Sequence, residues 1–309
     1  MEAIFIQYQN GNIEVTDMDR KIIHKRHPSN VNSIQEIDEI AKINRKGFNE
    51  DVENQLRYTR PWLEIDLEII NEYINGKLLV LPYPYEYIYP AIILQNVDNK
   101  RVLCLASGGG QQSAIFGILQ AKVSVIDISE KQLIGDQIAA EHYGYEVSTF
   151  QGDMRDLSIF PENSFDIIYQ AISMIYVPNV REVYREVFRI LKPNGLYRVG
   201  HLNPATYPVH FTGERNGWDG IGYRITEPYR GGAIKKRDDG KETMTEGEIT
   251  GEFRHLFSDI VNGLLEVGFT ILGVWEAARH LIHNDQADPG SEEHKRNVIG
   301  DRFCILVRK

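Results

Sequence analysis

Arg101-Val102-Leu103-Cys104-Leu105-Ala106-Ser107-Gly108-Gly109-Gly110-Gln111-Gln112-Ser113 is the stretch on which the fold turns. Val102–Ala106 is a short apolar run of the kind that fills a central parallel strand, buried on both faces. Ser107 and the glycines follow without a gap, and Ala114–Leu119 then opens a helical pattern. A strand that turns through glycines into a helix brings backbone N–H groups to the helix N-terminus, ready to meet an anion or a polar ligand. Glycine suits such a turn because the backbone angles are unusual and a side chain would hold a ligand away. The same cluster also describes a plain tight turn, so its flanks decide the reading.

Downstream the chain alternates. Lys122–Asp127 reads as a strand, Glu130–Tyr143 as a helix with Ser129 as N-cap and Gly144 as stop, and Glu146–Phe150 as the next strand. A loop through Gly152-Asp153-Met154 leads to a strand at Phe165–Tyr169, a helix at Val180–Leu191 and a strand at Leu196–Gly200. This alternation predicts a doubly wound, mostly parallel sheet with helices on both faces. His201–Thr250 has no clear period and is rich in glycine, proline and aromatics, the mark of a lid or binding insertion. Beyond it the pattern predicts a helix over Glu252–Val267, a strand over Phe269–Glu276, a mobile polar loop over Ala287–Asn297 and a terminal strand over Phe303–Val307. Upstream, helical stripes from Ser33 and over Glu64–Ile74 make 1–97 a largely helical N-terminal cap. The core is then 98–309, with 201–250 inserted.

Composition narrows the function. The 309 residues carry a net charge of −10, which argues against nonspecific nucleic-acid binding. Cys104 and Cys304, both in predicted strands, form neither a disulfide framework nor a zinc spacing, and such usage fits a cytoplasmic protein. The N-terminus lacks the basic region and apolar run of a signal peptide, and no apolar run is long enough to span a membrane. The expectation is a monomer or homodimer, without metal and with no membrane or nucleic-acid partner.

Asp127 ends the second strand and Asp153 follows the third, so both fall at the carboxyl edge of the sheet, where ligands of open α/β folds bind. An acid in the first position accepts hydrogen bonds from ribose hydroxyls, which points to a nucleoside-containing ligand. The loop Gly108–Ser113 has the form G-x-G-x-x-S, so a nicotinamide-dependent oxidoreductase competes.

Over Lys100–Gly200 the chain resembles the class I S-adenosylmethionine-dependent methyltransferases, of the Rossmann-like seven-stranded fold. Val102–Gly110 is similar to the family's first motif, V-L-D-L-G-x-G-x-G. Val123–Asp127 is similar to the second, and Gln151-Gly152-Asp153-Met154 to the third. Ser164–Tyr169 and Leu191-Lys192-Pro193-Asn194-Gly195 match the fourth strand and the L-K-P-G-G turn, and Leu264–Phe269 the turn before the final hairpin. Cys104 stands where the family has an acid, and Ala106-Ser107 where it has glycine and a small residue.

The resemblance implies S-adenosyl-L-methionine as cofactor. Around its methionine part it sets Ala106, Ser107, Gly108, Gly110 and Gln112. Asp127, Ile128 and Gln132 fall near the ribose, with Asp153, Met154, Gln170 and Ala171 further along the same edge. Tyr58 and Trp62, from the cap, are expected to cover the cofactor. Aromatics left over, including Tyr83–Tyr89 of the cap, Tyr176, and Trp218 and Tyr223 of the insertion, suit a pocket for a flat or partly apolar acceptor, although packing of cap on core also explains them. A hydroxyl acceptor would benefit from a base, and His201, directly after the fifth strand, is the first candidate, with His255 second. Either histidine is also explained as a structural hydrogen-bonder. The expected activity is O- or N-methylation of a small molecule; RNA or protein methylation, and cofactor binding without transfer, are the alternatives.

Overall fold

The computed structural model describes residues 5–9, 12–17, 20–24, 34–206, 217–225, 229, 231, 234–235, 252–276 and 286–309. Most of the 201–250 insertion, with its expected role as a lid, lies outside the described residues.

Strand β4 (Arg101–Leu105) is the buried run read from the sequence, and it sits inside a seven-stranded sheet rather than at its edge. On one side it pairs in parallel with β5 (Lys122–Asp127), which pairs in parallel with β6 (Val147–Gln151). On the other it pairs in parallel with β7 (Phe165–Gln170), and β7 with β8 (Leu191–Leu202). The sheet closes with β12 (Arg302–Arg308), antiparallel to both β8 and β11 (Thr270–Glu276). Every strand end that matters for a ligand therefore faces one edge.

Between the strands lie α3 (Gln112–Ile118), α4 (Glu130–Tyr143) and α5 (Val180–Ile190). Ser129 caps α4 by accepting from the Gln132 N–H, and Gly144, at φ +72°, ends it in the left-handed conformation that glycine adopts without strain. On one face of the sheet Val183, Val187 and Ile190 of α5 pack with Ile260 and Leu264 of α6 (Phe257–Val267). The other face is covered by α3, by Leu133 of α4 and by the N-terminal segment. Ile70 and Tyr73 of α2 (Leu67–Ile74), with Leu81, Ile88 and Leu94, share one apolar cluster with Val102 and Cys104 of β4.

Three differences from the sequence reading stand out. The chain begins with an antiparallel meander, β1 (Phe5–Gln9), β2 (Asn12–Asp17) and β3 (Arg20–His24), ahead of the long helix α1 (Ile34–Glu53), so the cap is not helical throughout. Glu252–Phe253 leaves the predicted helix to pair as β10 with β9 (Ile234–Lys235). The polar stretch read as a mobile loop carries α7 (Glu292–Ile299), capped by the Ser291 side chain on the His294 N–H. Its residues are polar because only part of the helix is covered, a pattern that charge content alone does not separate from a loop. Among the described residues no helix is long and apolar enough to cross a membrane.

Candidate active site

Beyond β4 the chain is fixed by hydrogen bonds to three neighbouring elements. Ala106, at φ +45°, donates its N–H to the Ile126 carbonyl at 2.8 Å. The Ser107 hydroxyl donates to the Leu105 carbonyl and accepts the Ala171 N–H at 3.1 Å, tying the loop to the end of β7. Gly108 gives its N–H to Asp127 Oδ2 at 2.9 Å. Gly109 and Gly110 give theirs to the two carboxylate oxygens of Asp136, at 3.0 and 3.1 Å, and the Ser113 hydroxyl donates to the same carboxylate.

Asp136 is fully buried on α4. Strand β4 offers a thiol, Cys104, where related motifs have an acid, and the missing carboxylate comes down from the helix instead. Burial pushes the Asp136 carboxyl up to about 7, against the pull of its donors. Helix and loop can approach this closely only because both are glycine at the contact. A Cβ on Gly110 would lie 2.2 Å from the Gly135 carbonyl oxygen, and one on Gly135 would lie 2.8 Å from the Gly109 backbone.

This arrangement corrects one expectation. The N–H groups of Gly108, Gly109 and Gly110 all end on protein carboxylates, so they are not open to an anionic ligand. A dinucleotide needs such donors for its pyrophosphate. The turn is rigid, already neutralised, and fits a ligand that presents no phosphate to it.

A cavity of 720 Å³ lies over this edge, within the roughly 300–1,000 Å³ usual for small-molecule sites. The cap covers part of it from above. Trp62 donates its backbone N–H to the Gly110 carbonyl at 3.0 Å, and the Gln111 side chain donates to the carbonyls of Tyr58 and Arg60 at 2.8 and 3.1 Å. The Tyr58 hydroxyl donates to Asp51 of α1 at 2.6 Å, and burial followed by that carboxylate raises its pKa. Asn49, also on α1, receives the Ser129 hydroxyl at 2.7 Å, which locks α1 to the start of α4.

The β5–β6 side of the cavity carries the acids. Asp127 accepts the Gly108 and Ser129 N–H groups; burial raises its pKa while these donors lower it. Each oxygen keeps a second lone pair for a ligand. Asp153 is held by Arg155 through a two-pronged ion pair. Gln132 lines the cavity too, and its buried Oε1 has no hydrogen-bond partner among the described residues. An orphaned acceptor at this place fits a ligand that brings a donor.

The β7–β8–β12 side is different. Ala171, Tyr176, Gly200, Leu202 and Phe303 bring mostly apolar surface, Tyr176 meeting Phe48 of α1 edge-on at 5.0 Å. Tyr83, Tyr87 and Tyr89 reach in from the cap, with Arg57 over the Tyr83 ring at 4.0 Å, and β8, α7 and β12 add the charged side chains Arg198, Arg296 and Arg302.

Most of the residues expected from the sequence do line this cavity. Tyr58, Trp62, Ala106, Ser107, Gly108 and Gln112 form its roof and turn; Asp127, Ile128, Gln132, Asp153, Met154, Ala171 and Tyr176 form its walls. Six expected residues are not among the lining. Gly110 lies behind the turn, against Gly135 and Pro61. Gln170 is buried, its side chain held by Ser173 and Tyr197.

His201 and His255 are corrected by strand alternation. Gly200 and Leu202 face the cavity, so His201 between them faces away. There its Nε2 meets the Tyr184 hydroxyl at 3.2 Å and its ring stacks on Phe303, while burial, then His255, drives its pKa well below the usual value. His255 Nε2 lies 2.9 Å from the Met174 carbonyl. Both are buried structural histidines. Trp218 and Tyr223 pack on each other and on His294 of α7, the Tyr223 hydroxyl lying 3.0 Å from His294 Nδ1, rather than entering the cavity. Asp136, Arg198, Arg296 and Arg302 are the residues that sequence reasoning missed. A glycine-acid pair inside a helix, Gly135-Asp136, was the available signal for the first; the arginines carried none.

Comparisons with known proteins agree with this geometry. A family described as methyltransferase domain matches residues 103–199. An uncharacterized methyltransferase, YbaJ of Bacillus subtilis, is 31% identical over 233 residues, spanning 75% of this chain and 89% of that protein. The sterol 24-C-methyltransferase erg6 of Aspergillus fumigatus is 31% identical over 105 residues, 33% of this chain and 28% of the relative. The crystal structure of an S-adenosylmethionine-dependent methyltransferase from Mesorhizobium loti has the same fold, with a TM-score of 0.55 at 20% identity over 71% of this chain and 94% of that one. The chain belongs to the methyltransferases and has the fold of an S-adenosylmethionine-dependent one.

Proposed function

We propose that this methyltransferase transfers the methyl group of S-adenosylmethionine to an oxygen or nitrogen atom of a small molecule held in the cavity between the cap and the sheet edge. The observation that carries the reading is the 720 Å³ cavity, whose walls come from both α1–Tyr89 and the strand ends. A macromolecular acceptor would call for an open groove. The sterol 24-C-methyltransferase relative supports an acceptor of this size class; with 28% of its length matched, it lends neither identity nor acceptor atom.

Within the cavity, Asp127 would accept from the ribose hydroxyls, Gln132 Oε1 would take a further donor of the cofactor, and Asp153 with Met154 would face the adenine. Ala106–Gly108 would lie along the methionine part, under Tyr58 and Trp62. The cofactor supplies an activated methyl on a sulfonium. The chain's own task is then to align an acceptor lone pair with that methyl and to keep water out. No histidine is among the described residues lining the cavity. Alignment, rather than proton removal by a histidine, is the contribution assigned to the protein.

The test is a single-turnover reaction with methyl-labelled cofactor against metabolite, RNA and protein fractions. Label in the metabolite fraction is expected. Label confined to RNA or protein overturns the small-molecule reading, and no transfer to any fraction leaves a cofactor-binding protein.

A further inference from the structure

Charge is unevenly distributed around the cavity. The chain is acidic, at −10, yet among the described residues the charged side chains lining the cavity, Asp127 and Asp153 apart, are arginines: Arg57 and Arg60 from the cap, and Arg198, Arg296 and Arg302 on the β8–β12 side. Arg198 is buried, and its guanidinium donates to the carbonyls of Tyr89, Gln170 and Tyr87. The faces of Tyr89 and Tyr169 lie against it, at 5.1 and 4.7 Å. Carbonyls satisfy its donors without cancelling its charge, and no described carboxylate lies within ion-pair distance of it. A buried charge without a counter-ion is costly unless something else completes the site.

Arg302 stands in the same wall. Its side chain is 16% exposed and its guanidinium lies over the Tyr87 ring at 4.8 Å. Asp301 engages it through Nε and one terminal nitrogen, at 3.0 and 2.9 Å, using one carboxylate oxygen for both. The same Asp301 oxygen lies 3.5 Å from Arg296 Nε. A guanidinium has five N–H donors. The remaining donors of Arg302 make no hydrogen bond within the described residues. Asp127 and Asp153, the acids of the cavity, lie on the far side, across β4 and β7.

We propose that the acceptor carries an anionic group, a carboxylate or a phosphate, which docks on Arg302 beside Arg296 with the Arg198 charge behind it. This rests on the small-molecule reading above and names the class of acceptor. The planar guanidinium fork is the donor set that reads either anion in two-pronged fashion. Tyr83, Tyr87 and Phe303 offer the body of the same molecule an apolar and aromatic surround. The anionic group orients the acceptor, while the atom that receives the methyl lies toward β4.

The test uses protein loaded with S-adenosylhomocysteine and titrated by calorimetry with benzoate, phenyl phosphate and the neutral benzamide. At least one anion is expected to bind tenfold or more tighter than benzamide, and the tighter of the two identifies carboxylate or phosphate as the better fit. Arg302→Gln is expected to cost that anion at least tenfold in affinity while cofactor-product binding stays within twofold. Arg302→Lys, which keeps charge but not the fork, is expected to fall between, and serves if the glutamine variant loses S-adenosylhomocysteine. Benzamide binding as well as both anions, neither anion binding, or unchanged anion affinity in the binding-competent variants overturns the proposal. A metabolite extract split on an anion-exchange column before labelling separates the two readings. Acceptors in the retained fraction are expected; acceptors only in the flow-through overturn the anionic handle and leave the small-molecule reading intact, whereas label only in protein or RNA overturns that reading itself.

Discussion

The two sides of the cavity are made in different ways. The β4–β6 side is backbone geometry fixed by carboxylates: a glycine turn clamped by Asp127 and Asp136, with the next strand end presenting Asp153. The β8–β12 side is a convergence of side chains from Tyr83 to Arg302, set by no local motif. The first has to hold one unchanging ligand and is rigid by construction. The second is where members of one fold diverge, because a side chain can be exchanged without re-routing the chain.

The sharpest way to break this contrast is Gly110→Ala. The new methyl group would sit 2.2 Å from a helix carbonyl and 2.8 Å from Pro61, at φ +73°. Backbone at the contact cannot rotate aside, so the turn or α4 must move. The expected cost is at least about 3 kcal/mol in stability or cofactor affinity, adding left-handed strain to the clash. S-adenosylhomocysteine calorimetry and a denaturant melt read both. Near-normal values in each would show that the turn is not the rigid element described.

Asp136 offers a graded version of the same test. Asp136→Ala leaves the Gly110 N–H and the Ser113 hydroxyl without their acceptor and the Gly109 N–H with the Gln132 carbonyl alone, and about 2–3 kcal/mol of stability is expected to go with it. The pH dependence has a definite sign. In the unfolded chain this carboxyl titrates near ~3.9, and in the fold it is pushed up to about 7. Between those values the folded protein holds a proton that the unfolded chain has released. Stability therefore falls as pH rises through that window and levels off above it. Asp136→Asn removes the titration, so urea melts at pH 5 and pH 8 should show a smaller drop in the variant than in the native chain. Parallel drops would mean that Asp136 is ionised throughout.

The legibility of the two sides in the sequence follows the same division. Val102–Leu105, Ser129, Gly144 and the strand-end acids could be read because each is dictated by local geometry: burial on both faces, a cap, a left-handed stop, a position at the sheet edge. The whole parallel sheet followed from them. Asp136 was hidden because its partner glycines lie 26 and 27 residues away and the helix periodicity gave it no distinction. His201 was misassigned because its place after a strand was legible while its face was not; Gly200 and Leu202 hold the cavity face, and the alternation turns the imidazole into the core. Arg302 belongs to the last strand, and only antiparallel pairing with β8 brings it to the site.

Asp127→Ala tests the acid that sequence and structure both single out. Two backbone donors lose their acceptor along with the ribose contacts proposed above, so cofactor affinity is expected to fall by about 1–3 kcal/mol. Because the burial of Asp127 is partial and its donors can turn to water, the loss in folding stability should be smaller than for Asp136→Ala. A calorimetric titration and a melt on both variants give the comparison directly. Equal affinity to the native protein would reduce Asp127 to a brace for Gly108.

The smallest expected effect has the opposite sign. Ala106 holds φ +45° where the related motif has glycine, a conformation that costs an alanine about 1–2 kcal/mol. It is kept there by its N–H bond to Ile126 and by the Ser107 hydroxyl on Ala171. Ala106→Gly relieves the strain but loosens the unfolded chain, which returns roughly 0.5–1 kcal/mol of the gain. The net expectation is a stabilisation below about 1 kcal/mol, with cofactor affinity unchanged, since the turn is already fixed by three neighbouring elements. A clear loss of affinity instead would mean that the alanine methyl itself contacts the cofactor, and that this side of the cavity reads its ligand through a side chain as the other side does.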